Sequence, residues 1–241
     1  MVTFAKRCAK EILRDPLNLF FGLGFPLVLI GLLTAIGAKA PGDIYNINAL
    51  APGITVFGLA FMTLFSATLI AKDRESAFLQ RLYTTPLRAR DFVIGYMLPV
   101  LPMAICQAVL CYGFSALLGL EIGVNVIYAV IGIVPMAVFN ISLGLLCGSL
   151  LGVKQVGGIC GALLTNLSAW LSGVWFDLDL VGGAFKKIAY MLPFVHGAEL
   201  EKALFNGNFS VAFGHALPVV IYAVIVTAAA VFCFLKQMKK Q

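Results

Sequence analysis

The chain has 241 residues, of which 61% are hydrophobic and only 12% charged. A soluble globular chain has about 45–50% apolar and about 25% charged residues, so the composition excludes an ordinary soluble domain and points to an all-α integral membrane protein. The formal charge of +6 does not indicate nucleic acid, because the basic residues border apolar runs instead of clustering on a polar domain.

Residues 1–16, MVTFAKRCAKEILRDP, read as a separate amphipathic helix. Phe4, Cys8 and Ile12 recur at helical spacing with Ala5, Ala9 and Leu13 beside them, while Lys6, Arg7, Lys10 and Arg14 occupy the rest. This is the pattern of a helix lying in the membrane interface with its basic residues anchored among headgroups; the alternative is a solvated leader. Pro16 biases Asp15 away from helix and marks a bend. The order of charge, apolar run and the AKA at 38–40 resembles a signal peptide. The run of about 22 residues exceeds a signal core of about 7–15, however, and further spans follow.

Six stretches are long and apolar enough to cross a bilayer, at about 17–38, 53–71, 92–118, 124–151, 155–176 and 216–235. Six spans place both termini on one side. Thirteen Lys and Arg fall on that side and four on the other, which predicts cytoplasmic termini in a cell (inner or plasma) membrane. The six cysteines show no metal-ligand spacing and read as small hydrophobes, with no disulfide framework and no metal site.

The connector 72–91 carries eight of the 28 charges and cannot cross. At about 2.5–3.5 kcal/mol per central charge, crossing would cost on the order of 20 kcal/mol. From Asp73 to Tyr83 the sequence reads as a helix, with Phe78, Leu79, Leu82 and Tyr83 forming one apolar stripe, Asp73 and Glu75 in its first turn, and Pro86 ending it. Arg88 and Arg90 follow as interfacial anchors. A loop on headgroups needs no such stripe, whereas a groove in a partner explains it.

No span has Asp, Glu, Lys or Arg at its centre, which weighs against an ion-coupled carrier or channel without excluding it. The polar residues that remain include Gln107, Asn140, Thr165, Asn166 and Ser168, which serve either as helix–helix glue or as a substrate path or dimer interface. His196 and Glu199 share a helical face and His215 lies further on. The chain has no HExxH pair and no nucleophile elbow, so an intramembrane enzyme with catalytic residues is disfavoured. It also has no Gly-Lys pair and hence no phosphate-cradling loop of its own.

The order of parts resembles the membrane subunit of a type-2 ABC exporter, the class of drug, polysaccharide and lipid exporters. LRDPLNLFF is similar to the family's elbow helix and its entry to the first span. DRESAFLQRLYTTPLRARDFVIGY is similar to its acidic residue, short helix, proline and basic patch, with Glu75, Leu79, Leu82, Pro86, Arg88 and Arg90 in those places. LSGVWF followed by LPFVHGAELEKALFNG is similar to its fifth-span end, its Leu-Pro-x-x-His and its external helix, here with Pro193, His196 and Glu199. Where the family often has Lys near Gly95, this chain has Tyr96.

The resemblance implies a permease pairing with a second permease, identical or related. It further implies separate cytoplasmic ATPase subunits that hold ATP and Mg, a coupling role for Asp73 to Pro86, and an extracytoplasmic segment at 177–210. It implies no cofactor on this chain.

Overall fold

The computed structural model describes residues 2–38, 46–76, 78 and 89–238. Leu79, Leu82, Tyr83, Pro86 and Arg88 lie outside the described residues, as does the side chain of Arg90. Among the described residues the elements are all helical. They are α1 (Val2–Leu13), α2 (Pro16–Gly37), α3 (Ile47–Glu75), α4 (Ala89–Leu117), α5 (Asn125–Leu150), α6 (153–171), α7 (Leu178–Val181), α8 (Gly183–Met191), α9 (Pro193–Phe205) and α10 (Phe209–Met238). Five of them, α2, α3, α4, α5 and α10, are long and apolar enough to cross a membrane.

The stretch expected as a fifth span, 155–176, is an irregular helix over 153–171. A π-helical segment, Gly157–Leu164, sits between two α-helical turns, and the chain leaves the helix before 176. At about 1.5 Å per residue it is about 28 Å long. Lys154, Gln155, Thr165, Asn166 and Ser168 make it less apolar than the other five.

Two other boundaries move outward. The helix expected at 53–71 begins at Ile47, where the Asn46 side chain caps the Asn48 N–H, and runs on to Glu75. The helix expected at 216–235 begins at Phe209. Apolar runs stop where polar residues start, whereas backbone hydrogen bonding continues to the next cap.

At the bend between α1 and α2, Asp15 is extended (φ −100°, ψ 95°). Its carboxylate accepts from the Asn18 backbone N–H, with Pro16 in the first helical turn. Capping and the fixed proline φ thus turn the chain in two residues.

Helix α3 is the centre of the bundle, with 89% of its apolar window buried, against 22% for α10 and 28% for α2. It packs on α4 and α5, and α5 packs in turn on α10. The approach of α3 to α5 depends on Gly144 and Gly148 of α5. A Cβ at these positions would lie 2.3 Å from the Thr63 carbonyl oxygen and 2.4 Å from that of Ala67. Small residues four apart let two apolar helices meet backbone to backbone, where dispersion is strongest. Thr63 Oγ1 donates across the same seam to the Asn140 backbone oxygen at 2.9 Å.

Candidate functional site

Helix α1 buries Phe4, Ala5, Cys8 and Ile12, the stripe seen in the sequence, and leaves Leu13 exposed. The stripe does not face lipid. Phe4 stands edge-on to Tyr96 of α4, with ring centroids 4.8 Å apart, and next to Phe92 at 6.1 Å. Burial pushes the Cys8 thiol up to about 12, which keeps it a neutral packing group.

The consecutive residues Asp73, Arg74 and Glu75 end α3, and each holds a different element. Asp73 is 1% exposed. Its carboxylate accepts both guanidinium arms of Arg7, at 2.6 and 2.5 Å, and the Tyr96 hydroxyl at 2.8 Å. A buried carboxylate is tolerated when its lone pairs are filled in this way. The hydrogen bond from Arg7 to Asp73 pushes the guanidinium pKa upward, against partial burial. Arg7 also reaches Glu11 at 3.0 Å, one turn along α1.

Arg74 donates to backbone oxygens at the end of α5, those of Gly148 at 3.2 Å, Leu151 at 3.3 Å and Ser149. These are carbonyls that a helix C-terminus leaves without intrahelical partners, and a cation suits the negative end of the helix dipole. Glu75 Oε1 accepts the Val153 N–H at 2.9 Å, filling the complementary need at the start of α6. One short run therefore clamps α3 to α1, α4, α5 and α6.

This differs from the sequence expectation in two ways. Asp73 and Glu75 stand in the last turn of a membrane-length helix, not in the first turn of a separate connector helix. Phe78, expected on a partner-facing stripe, is half-buried against α1. It is stacked at 6.4 Å from Phe4, with the Arg7 guanidinium 4.1 Å above its ring. Tyr96, which departs from the resembled pattern, supplies the third hydrogen bond to Asp73. The 66-residue separation of Arg7 and Asp73 leaves no local signal for their pairing.

The expected path residues are dispersed. Gln107 is buried and donates from Nε2 to the Thr55 oxygen at 3.1 Å. Asn140 donates to the Met136 oxygen at 2.9 Å, and Thr165 to the Cys160 oxygen at 3.0 Å. Ser168 is buried, and Asn166 is exposed and bonded to the Ala162 oxygen at 2.8 Å. The four buried residues sit inside this chain's own packing, and only Asn166 is exposed.

At the opposite end, Pro193 opens α9 at its first turn. His196 faces His215 with Nδ1 atoms 2.9 Å apart, and its Nε2 lies 3.0 Å from the Tyr190 oxygen. An Nε2–H donated to that carbonyl leaves His196 Nδ1 as acceptor and His215 Nδ1–H as donor. Glu199 pairs with Lys202 at 2.9 Å instead of acting with His196. Glu201, which no sequence motif marks, is buried and receives the Tyr112 hydroxyl at 2.8 Å. Desolvation pushes its carboxyl up to about 8, against the smaller opposing effect of that hydrogen bond. A cavity of about 500 Å³ lies here, lined by Trp175, Phe176, Tyr190, Asp177, Glu199 and Lys202, among others.

The chain is 27% identical over 186 residues to the capsule polysaccharide export inner-membrane protein CtrC of Neisseria meningitidis serogroup B, a match covering 76% of this chain and 69% of that protein. It is 25% identical over 167 residues to the serogroup A protein of the same name, covering 68% and 63%. It is 29% identical over 160 residues to a putative transport permease, ycf38, of Cyanophora paradoxa, covering 61% and 54%. About a third to nearly a half of each relative's length thus falls outside the match. Residues 1–205 match the ABC-2 type transporter family. The chain, a multi-pass membrane protein, belongs to the ABC-2 type transporter family.

Proposed function

We propose that this chain is the permease subunit of an ATP-binding-cassette exporter, paired with a second permease, identical or related, and driven by separate cytoplasmic ATPase subunits that bind ATP and Mg. The reading has six spans, with 153–171 as the fifth, an elbow helix at 1–16, a coupling segment at 72–91, and 177–210 outside. Both termini are then cytoplasmic, in the inner or plasma membrane.

The observation that carries the reading is the clamp. The connector leaves α3 directly after Asp73, Arg74 and Glu75, and those residues grip four other elements. A push delivered to the connector by a closing ATPase pair reaches α1, α4, α5 and α6 together, because packed helices transmit displacement. In this scheme Asp73, Glu75 and Phe78 act within the permease, and Leu79, Leu82, Tyr83 and Pro86 meet the ATPase.

A glycan is the substrate class the outer cavity favours. Its aromatic rings offer faces for sugar C–H groups, and its carboxylates and Lys202 offer hydrogen-bond partners for hydroxyls. Two of the three relatives described above are named for capsule polysaccharide export.

Glu75→Ala and Leu82→Asp are expected to leave ATP hydrolysis by the assembled complex running while abolishing most export. Unchanged ATP-dependent export in both variants would sink the coupling assignment.

A further inference from the structure

The burial of α1's apolar stripe against the protein changes what its basic face is for. A helix held in the interface by insertion turns its apolar side into the acyl boundary. Here Phe4, Ala5, Cys8 and Ile12 are taken up by the bundle, which spends the apolar stripe of α1 on protein and leaves Leu13 exposed at its end. Its cations line a groove of about 830 Å³ between α1, the α1–α2 bend and the end of α3.

Five cationic side chains, Lys6, Arg7, Lys10, Arg14 and Lys72, and two anionic ones, Glu11 and Asp15, border the groove, an excess of three positive charges. Arg7 is committed to Asp73 and Glu11, and Lys72 lies 3.7 Å from Asp15. Lys6, Lys10 and Arg14 are exposed, follow one another at four-residue steps on one side of α1, and have no ion-pair partner among the described residues. The charge of Arg7 is met by Asp73 and Glu11, so the cations the groove leaves for an anion are Lys6, Lys10 and Arg14.

A second observation says what kind of anion fits. Leu13, Leu17 and Phe20 stand exposed at the α1–α2 corner, 67%, 66% and 52% accessible. Leu17 and Phe20 begin the outward side of α2, which continues with exposed Val28, Leu32 and Ile36. A row of cations joined to an apolar ladder along a membrane-length helix has the layout of a headgroup with its tail. We infer that this groove binds the phosphate head of an anionic lipid carrying two or more negative charges, with its acyl chain along α2. The site is independent of the transported substrate.

The test uses the purified full chain in neutral detergent, with binding measured for dioctanoyl phosphatidic acid, dioctanoyl phosphatidylcholine and inorganic pyrophosphate. Phosphatidic acid is expected to bind well above phosphatidylcholine, and the triple variant Lys6→Gln, Lys10→Gln, Arg14→Gln to weaken it about 100-fold, from the usual contribution of each basic residue beside an anionic headgroup. A matched triple away from the groove, Lys154→Gln, Lys187→Gln, Lys236→Gln, removes the same charge and is expected to shift binding less than about threefold. Leu17→Gln is expected to weaken phosphatidic acid and leave pyrophosphate unaffected. The inference is overturned if the two lipids bind alike, if the matched triple loses as much as the groove triple, or if pyrophosphate binds as tightly as phosphatidic acid.

Discussion

Deleting the Asp73 carboxylate would leave the Tyr96 phenol without its acceptor in the packed end of the bundle and leave half-exposed Arg7 with Glu11 alone. Asp73→Asn is expected to cost about 1–3 kcal/mol, the usual penalty for weakening a charged hydrogen bond at a buried donor. Arg7→Gln combined with it should cost less than the sum of the two, read by unfolding in a denaturing-detergent titration. Strict additivity would mean that the pair does not act as a unit.

Glu201 gives a pH signature. Its carboxyl titrates near 8 when folded and near 4.5 when free. Between those values the folded state holds a proton that the unfolded state has lost, so stability falls as pH rises. The slope is about 1.4 kcal/mol per pH unit and flattens above about 8. Glu201→Gln should retain the Tyr112 contact and abolish the slope; an equal slope in both proteins would contradict the burial.

At this scale the sequence was only partly legible. Arg7, Asp73 and Glu75 stood out as charges, but what each one touches depends on helices brought together from distant positions. Nothing in LPFVHGAELEKALFNG sets Glu201 apart, because its burial against Tyr112 is a tertiary fact.

Among the elements, the amphipathic pattern of α1 was readable and its partner was not. Periodicity reports that a face is apolar, not whether protein or lipid covers it. The connector shows the same limit in reverse. Its acidic start looked like a helix N-terminus, yet α3 runs through it, because Arg74 and Glu75 satisfy neighbouring helix ends and let the helix extend. The Gly144-Leu-Leu-Cys-Gly148 spacing is the sequence signal for the α3–α5 seam. Gly144→Ala would drive a Cβ into the Thr63 carbonyl, so a loss of about 1–3 kcal/mol is expected, with larger losses for Gly144→Leu. A neutral Gly144→Leu would show that the two helices are not in backbone contact.

Over the whole molecule, composition pointed to a membrane protein and the length of the uncharged runs to helices, and the elements among the described residues are all helical. The same runs located five membrane-length helices to within several residues. The segment 153–171 escaped regular description because its polar residues and π-helical turns break the apolar run. A single cysteine replacing Lys186 should react with an impermeant reagent added outside intact cells, and labelling only after permeabilisation would reverse the topology.

The central claim is that force enters at the connector and passes through the clamp. Its most direct test measures ATP hydrolysis and outward transport in the same vesicles, with this chain assembled with the proposed second permease and ATPase. Wild type should export only with ATP, and Glu75→Ala should hydrolyse ATP at near the wild-type rate with export reduced at least about tenfold. Export per ATP unchanged in Glu75→Ala, or export driven by an ion gradient without ATP, would contradict the account.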